Sequence, residues 1–262
     1  MCSPSDALRL VRAEIVKLVT RRGLVAAAVL LTIGTTVVAY AILELLHLGD
    51  PAKHGPAGGT QNFVNATWLL TQLGSIAVIL LGATAGAGDL GAGFFRMLVV
   101  TGRSRLALFA ARLPSGLAVA LVLSAAEFAL VAAATVLLAG GKATPSPALL
   151  VQSGLWIVAY MSVVYLVAVG LASLLGSRST TIALLVGLQL AVTPVLQEVH
   201  GLHVPRELVL GVAVWQLAPR VVQAGAPRSD LAMSQGAIAA VLVGWVAAAV
   251  VAGAWKTITR EA

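Results

Sequence analysis

Six stretches of this chain stay apolar for about twenty residues or more, the length a helix needs to cross the hydrocarbon core of a bilayer. They are Leu24–Leu46, Ala66–Ala85, Pro114–Ala139, Leu149–Leu175, Thr180–Val199 and Gln235–Trp255. Inside lipid every backbone N–H and C=O must find a partner within the protein, which leaves helices as the structure for runs of this kind. Composition agrees: 59% of the 262 residues are hydrophobic and 10% are charged, with a mean hydropathy of +0.97. Soluble domains carry roughly 25% charged residues. The expected fold is an all-α integral membrane protein with six transmembrane helices, forming one domain over residues 1–262.

The breaks between the runs are polar or rich in Gly and Pro, as in "HLGDPAKHGPAGGTQN", "GGKATPSP" and "GSRS". An even number of spans puts both termini on one side. If that side is the cytoplasm, the inner segments hold twelve basic residues: Arg9, Arg12, Lys17, Arg21, Arg22, Arg96, Arg103, Arg105, Arg112, Arg178, Lys256 and Arg260. The outer segments hold five: Lys53, Lys142, Arg206, Arg220 and Arg228. The positive-inside bias therefore predicts a multi-pass protein of the cytoplasmic membrane with both termini in the cytoplasm. The net charge of +7 then serves a membrane surface, and no nucleic-acid partner is expected. The basic residues Arg9 to Arg22 precede a run too long for the apolar core of a secretory signal. With Cys2 as the one cysteine, neither an intrachain disulfide nor a thiolate metal cage is expected.

Two segments are neither spans nor simple loops. Within residues 4–22, Leu8, Val11, Ile15 and Leu18 recur at helical spacing while Arg9, Arg12, Lys17 and Arg21 fall mostly elsewhere. That pattern predicts a basic amphipathic helix on the inner leaflet; the alternative is a solvated extension of the first span. Within the outer loop 200–234, Glu207–Val222 is apolar but too short to span, and predicts a re-entrant or interfacial helix before the last span.

The second span runs into Gly86-x-Gly88-x-x-Gly91, the spacing of a dinucleotide-binding turn. Such a turn needs a strand before it and a soluble crevice around it, and this chain offers neither. Gly141-Lys142 does not complete a phosphate-binding loop, because Ala143 follows it and Val136 stands where the first Gly belongs. No cofactor is expected on this chain, and the glycines are expected to let the backbone leave the membrane and turn.

Residues 86–113 form the largest inner loop, with Asp89 and four arginines set around Phe94, Phe95, Met97 and Leu98. Bulky apolar side chains among charges suit a short amphipathic helix docking into another protein's groove, or one lying on lipid. Here the chain resembles the bacterial ABC type-2 transporter permeases, the membrane subunits of ATP-binding-cassette exporters. Between their second and third spans these carry an acid, a Gly-Thr pair, a basic residue and an apolar run. Pro-x-Ser-Arg and a basic residue seven further on complete the pattern. Asp89 stands for the acid, Gly93 for the glycine, Arg96 for the first basic residue and Ser104-Arg105 for the Ser-Arg pair, and Arg112 falls seven after Arg105. Phe94 replaces the usual Thr and Gly102 the usual Pro, a residue that also permits a turn. With the amphipathic lead-in, six spans and long last outer loop, the resemblance covers essentially the whole chain.

The resemblance implies a single permease domain whose inner loop is a coupling helix resting in the cleft of a separate ATPase subunit. Asp89, Gly93, Phe94, Phe95, Arg96, Arg103, Ser104, Arg105 and Arg112 would form it. ATP and Mg would bind the ATPase dimer, and a second permease copy, identical or a sibling, would complete the exporter. Its substrate would be a drug, antibiotic, peptide or lipid-like molecule.

Polar residues inside the spans are candidates for the path. Glu127 lies near the middle of the third span, where a charge costs roughly 2.5–3.5 kcal/mol, so it should face protein or water, or be protonated. It serves either the substrate path or a bond to a neighbouring helix. Gly116, Ala120 and Ser124 precede it as a stripe of small residues. Gln189, Thr193 and Gln197 recur at four-residue steps on the fifth span, with Pro194 among them, and suit a conduit or helix–helix hydrogen bonds equally. Gln72 reads as helix contact. His47, His54, His200 and His203 fall in outer loops, and Glu198-x-His200-x-x-His203 lacks a third ligand fixed by spacing, so no metal site is expected.

Two other classes compete: a membrane enzyme acting on lipid and a non-transporting sensor or scaffold. The first would need clustered ionisable groups at one membrane face, and the inner loops offer arginines without His or paired acids.

Overall fold

A computed structural model of the chain describes residues 4–91, 104–198, 207–224 and 233–259. These are helices and their connections, with no strand among the described residues. α1 is Pro4–Val19 and α2 is Arg22–Gly49, the latter with a π turn at Leu30–Gly34. α3 is Thr60–Gly91, α4 is Arg105–Leu137 and α5 is Pro147–Leu175. α6 comprises Arg178–Gly187, a π turn at Leu188–Val192 and Thr193–Glu198. The short α7 is Leu210–Trp215, α8 is Arg220–Gln223, and α9 is Gln235–Thr259. Six of these, α2 to α6 and α9, are long and apolar enough to cross a membrane. The protein is an all-α integral membrane protein.

Short polar signals set the helix starts. Ser104, Ser146, Ser177 and Ser234 precede α4, α5, α6 and α9, and each hydroxyl oxygen accepts from the backbone N–H three residues on, at 3.2, 3.2, 3.3 and 3.2 Å. Gly176, at φ +69°, takes the left-handed conformation that stops α5 one residue before Ser177 opens α6. Two helices outrun their apolar cores. α3 begins at Thr60 and ends at Gly91, past both ends of the Ala66–Ala85 run, and α4 begins at Arg105 rather than Pro114. Backbone hydrogen bonding carries α3 beyond its apolar run into the polar residues Thr60, Gln61 and Asn62, and extends α4 back through apolar turns punctuated by Arg105 and Arg112. Of the expected loop 86–113, residues 86–91 and 105–113 are thus helical.

α3 and α5 form the centre, with the other spans around them. Small residues let them approach. A Cβ on Gly82 would stand 2.7 Å from Ala168 Cβ, and one on Gly86 would stand 2.6 Å from Ala172 Cβ. This is close backbone packing of the small-xxx-small kind. α9 crosses α5 in the same way, where a Cβ on Gly253 would lie 2.6 Å from Gly170 O. Gly86 and Gly88 lie inside α3 and make no turn, and Gly86 instead serves the helix crossing; Gly91 is the last residue of α3, and the chain that follows it lies outside the described residues.

α1 packs chiefly along α4. Of its expected apolar stripe only Leu18 is fully buried; Val11 and Ile15 are half-buried and Leu8 is exposed. Glu14, one turn before Leu18, also turns inward and pairs with Lys17 at 2.7 Å. The segment 207–222 is two short helices with Pro219 at the join, not one. α7 is tucked against the bundle: Trp156 Nε1 donates to Val214 O at 3.0 Å and Trp245 Nε1 to Leu208 O at 2.8 Å.

Candidate functional site

One end of the bundle gathers arginines, and there three helices share one carbonyl. Arg112 of α4 is 1% exposed, and its Nη1 donates to Gly86 O of α3 at 3.2 Å. Ser173 Oγ of α5 donates to the same oxygen at 3.3 Å. Tyr165 OH, also of α5, donates to Arg112 O at 2.7 Å. Gly116 makes room for this, because a Cβ there would collide with the Tyr165 hydroxyl. A buried guanidinium is tolerated when its donors meet acceptors, and here the acceptor is a backbone oxygen fixed by a helix. The ends of α3 and α4, from which residues 92–103 emerge, are thereby locked to each other and to α5.

The surroundings tie in three further elements. Ser104 caps α4, and Arg105 Nη1 donates to Ile258 O near the end of α9 at 3.3 Å. Arg21, in the turn between α1 and α2, lays its guanidinium against Gly88: a Cβ there would stand 3.0 Å from Arg21 Nη1. Asp89 occupies the last turns of α3, and its side chain lies outside the described residues, as do Gly93, Phe94, Phe95, Arg96 and Arg103 entirely. Arg112 thus stands apart from the other expected coupling residues that are described: Ser104 and Arg105 lie at the helix start, whereas Arg112 faces inward.

A second polar centre lies at mid-span. Glu127 is fully buried; Thr36 Oγ1 of α2 donates to its Oε1 at 3.4 Å. Its Oε2 has no hydrogen-bond partner among the described residues and faces α3, where a Cβ on Gly74 would stand 3.0 Å away. Ser124 Oγ, one turn back, is buried and unpartnered as well. Two turns on, Tyr40 OH and Thr135 Oγ1 meet at 2.6 Å, so α2 and α4 are joined twice through polar groups.

Gln189 and Thr193 turn inward too. Gln189 Nε2 donates to the Gln72 backbone O at 3.4 Å and to Ser75 Oγ, a contact that does not use the Gln72 side chain. Thr193 Oγ1 donates to Leu188 O across the π turn at 2.9 Å, and its side chain packs on Gly211 of α7. Both residues line a cavity of about 40 Å³ with Tyr160, Ile79 and Val214. A π turn widens a helix and is frequent at functional sites. The Gln197 side chain lies outside the described residues, as do His200 and His203. His47 Nδ1 is 2.7 Å from His54 O, a loop contact.

Sequence reasoning passed over Thr36, Gly74, Tyr165 and Ser173. The four-residue spacing of Gly82 and Gly86 was a readable sign of a close crossing; the partners of Arg112 and Glu127 lie on other helices and carried none.

Comparison with protein-family models finds none that matches the chain, and comparison with curated proteins also finds no match.

Proposed function

We propose that this protein is the membrane-spanning permease of an ATP-binding-cassette exporter, paired with a second permease copy and driven by a separate ATPase dimer. The observation that carries the reading is the Asp89–Arg112 segment. It matches the family's inner-loop pattern at five points, and it joins α3 and α4, whose ends are pinned together by Arg112 and Gly86. A push on residues 92–103 by a partner therefore reaches α3, α4 and α5 as a unit, because a pinned junction moves as a body. Orientation follows from the basic residues: this end faces the cytoplasm, where ATP is made available to the ATPase.

In this reading Phe94 and Phe95 anchor the segment in the ATPase cleft, and Arg96, Arg103 and Arg105 orient it against acidic groups. Arg112 acts from inside the bundle by holding the segment's base. ATP and Mg bind the ATPase, not this chain. The path between the two permease copies draws on Glu127, Gln189, Thr193 and Gln197, with Glu127, Gln189 and Thr193 opened from their inward positions when the bundle shifts.

The experiment is affinity purification of this chain from its membranes, with the ATPase activity of the eluate measured. An ATPase that copurifies, and whose turnover depends on this chain, supports the exporter. Recovery of the chain with no nucleotide-hydrolysing partner overturns it.

A further inference from the structure

A lateral cleft of about 460 Å³ opens at the arginine-rich end between α2 and α4. α1 closes its lower edge through Ile15 and Val19, and Leu81 of α3, 1% exposed, forms its floor. Val25 and Val29 of α2 and Val119 and Val122 of α4 make the walls. α2 and α4 are joined further along through Thr36–Glu127 and Tyr40–Thr135, but part around Arg22–Val29, so the cleft is a wedge open to the side. Val122, at 72% exposure, stands at its open edge.

Both helices that frame the mouth carry an arginine in the same place. Arg12 precedes Ile15 and Val19 of α1 by three and seven residues, and Arg22 precedes Val25 and Val29 of α2 by the same intervals. That spacing puts each arginine on the cleft-facing side of its helix. Both are exposed and form no ion pair among the described residues; Glu14, the buried acid of α1, is paired with Lys17. An aliphatic slot on a membrane-spanning bundle, with an arginine one turn before its lining residues on each of two helices, has the charge and polarity of one kind of molecule.

We propose that the cleft holds one anionic phospholipid of the adjoining leaflet, an acyl chain between α2 and α4 and its phosphate between Arg12 and Arg22. The chain covers the apolar floor that α2 and α4 leave open, and the arginines select an anionic headgroup over a zwitterionic one. Bound there, the lipid fills the wedge between the first and third spans. The inference rests on membrane embedding alone and is independent of the ATPase reading.

The test uses the full chain in bilayers, with Cys2→Ser to free the background and Val122→Cys carrying an environment-sensitive fluorophore. Brominated phosphatidylglycerol is titrated into phosphatidylcholine, and brominated phosphatidylcholine serves as the comparison. The expected result is half-maximal quenching at a mole fraction at least about fivefold lower for the anionic lipid, the factor each of the two arginines near a charged headgroup supplies. The same label at Val243→Cys, on the open face of α9, should show no preference. Arg12→Ala/Arg22→Ala should bring position 122 to parity. Raising the ionic strength should shrink the preference in the unsubstituted arginine background, a readout that does not depend on the variant folding. Equal quenching by both lipids at position 122 reduces the cleft to ordinary lipid contact and overturns the proposal. Protection from both lipids overturns it as well, and assigns the cleft to protein, such as a second copy of this chain.

Discussion

Gly86 and Arg112 are placed on consecutive long helices, and Arg112 Nη1 reaches the Gly86 carbonyl at 3.2 Å while Tyr165 OH holds the Arg112 carbonyl at 2.7 Å. The glycine is required for its missing Cβ, which admits Ala172 of α5; its carbonyl, a group any residue carries, receives Arg112 and Ser173.

Gly86→Ala should destabilise the protein by about 1–3 kcal/mol, the usual cost of overpacking, because the new methyl meets Ala172 Cβ and backbone atoms of α5 that cannot swing away. Gly88→Ala meets only the flexible tip of Arg21 and should be neutral or stabilising by up to ~1 kcal/mol, the helix-propensity gain. Thermal unfolding in detergent compares the two. Equal tolerance at both positions would show that Gly86 is not packed as described.

Tyr165→Phe removes one buried hydrogen bond and should cost about 1 kcal/mol. Arg112→Ala removes a large buried side chain and should cost more, about 2–5 kcal/mol. A milder effect from Arg112→Ala than from Tyr165→Phe would contradict the buried position of the guanidinium. The same detergent melts supply the measurement.

Glu127→Gln keeps the shape of the side chain and its acceptor for Thr36, so expression and melting should stay within about 1 kcal/mol of the parent. On the proposed exporter function, export should nevertheless change, because the substitution alters the charge available at mid-span. Transport in vesicles, once a substrate is in hand, reads this directly; unchanged transport returns Glu127 to a purely structural part.

Cysteines at positions 54 and 142 should react with an impermeant thiol reagent on intact cells, and cysteines at 103 and 178 only after permeabilisation, all with Cys2→Ser. The motive is the distribution of basic residues. Labelling at position 103 in intact cells would invert the orientation.

If this chain is the proposed permease, Phe94→Ala/Phe95→Ala should leave it in the membrane at normal yield but weaken its hold on the proposed ATPase by about 2 kcal/mol or more, the scale of an interface hot spot. Arg96→Ala should loosen it less and make it more salt-sensitive. Pull-down at two salt concentrations measures both, and full recovery of the ATPase by the double Phe variant would sink the coupling-helix reading.

What the sequence by itself determined is what a few neighbours can encode. The six spans were legible because apolar length answers to bilayer thickness; the serine caps at Ser104, Ser146, Ser177 and Ser234 are local signals as well, but they emerged only with the structure. Helix limits were less legible: α3 runs on to Gly91 past its apolar run, and α4 starts at Arg105 because Arg112 interrupts an apolar stretch that the helix continues through. Glu127 could be recognised as costly in an apolar run, but not that Thr36, 91 residues away, meets one oxygen while Gly74 leaves room for the other. Arg112 looked like one more loop cation, and only the crossing of α3, α4 and α5 turned it inward onto Gly86. Which face of a uniformly apolar helix meets its neighbour is decided by shape, since lipid and protein interior are equally apolar solvents for a leucine. Side-chain shape and the partners across the crossing exist only once the helices are assembled, and that is why tertiary structure alone decided where these charges went.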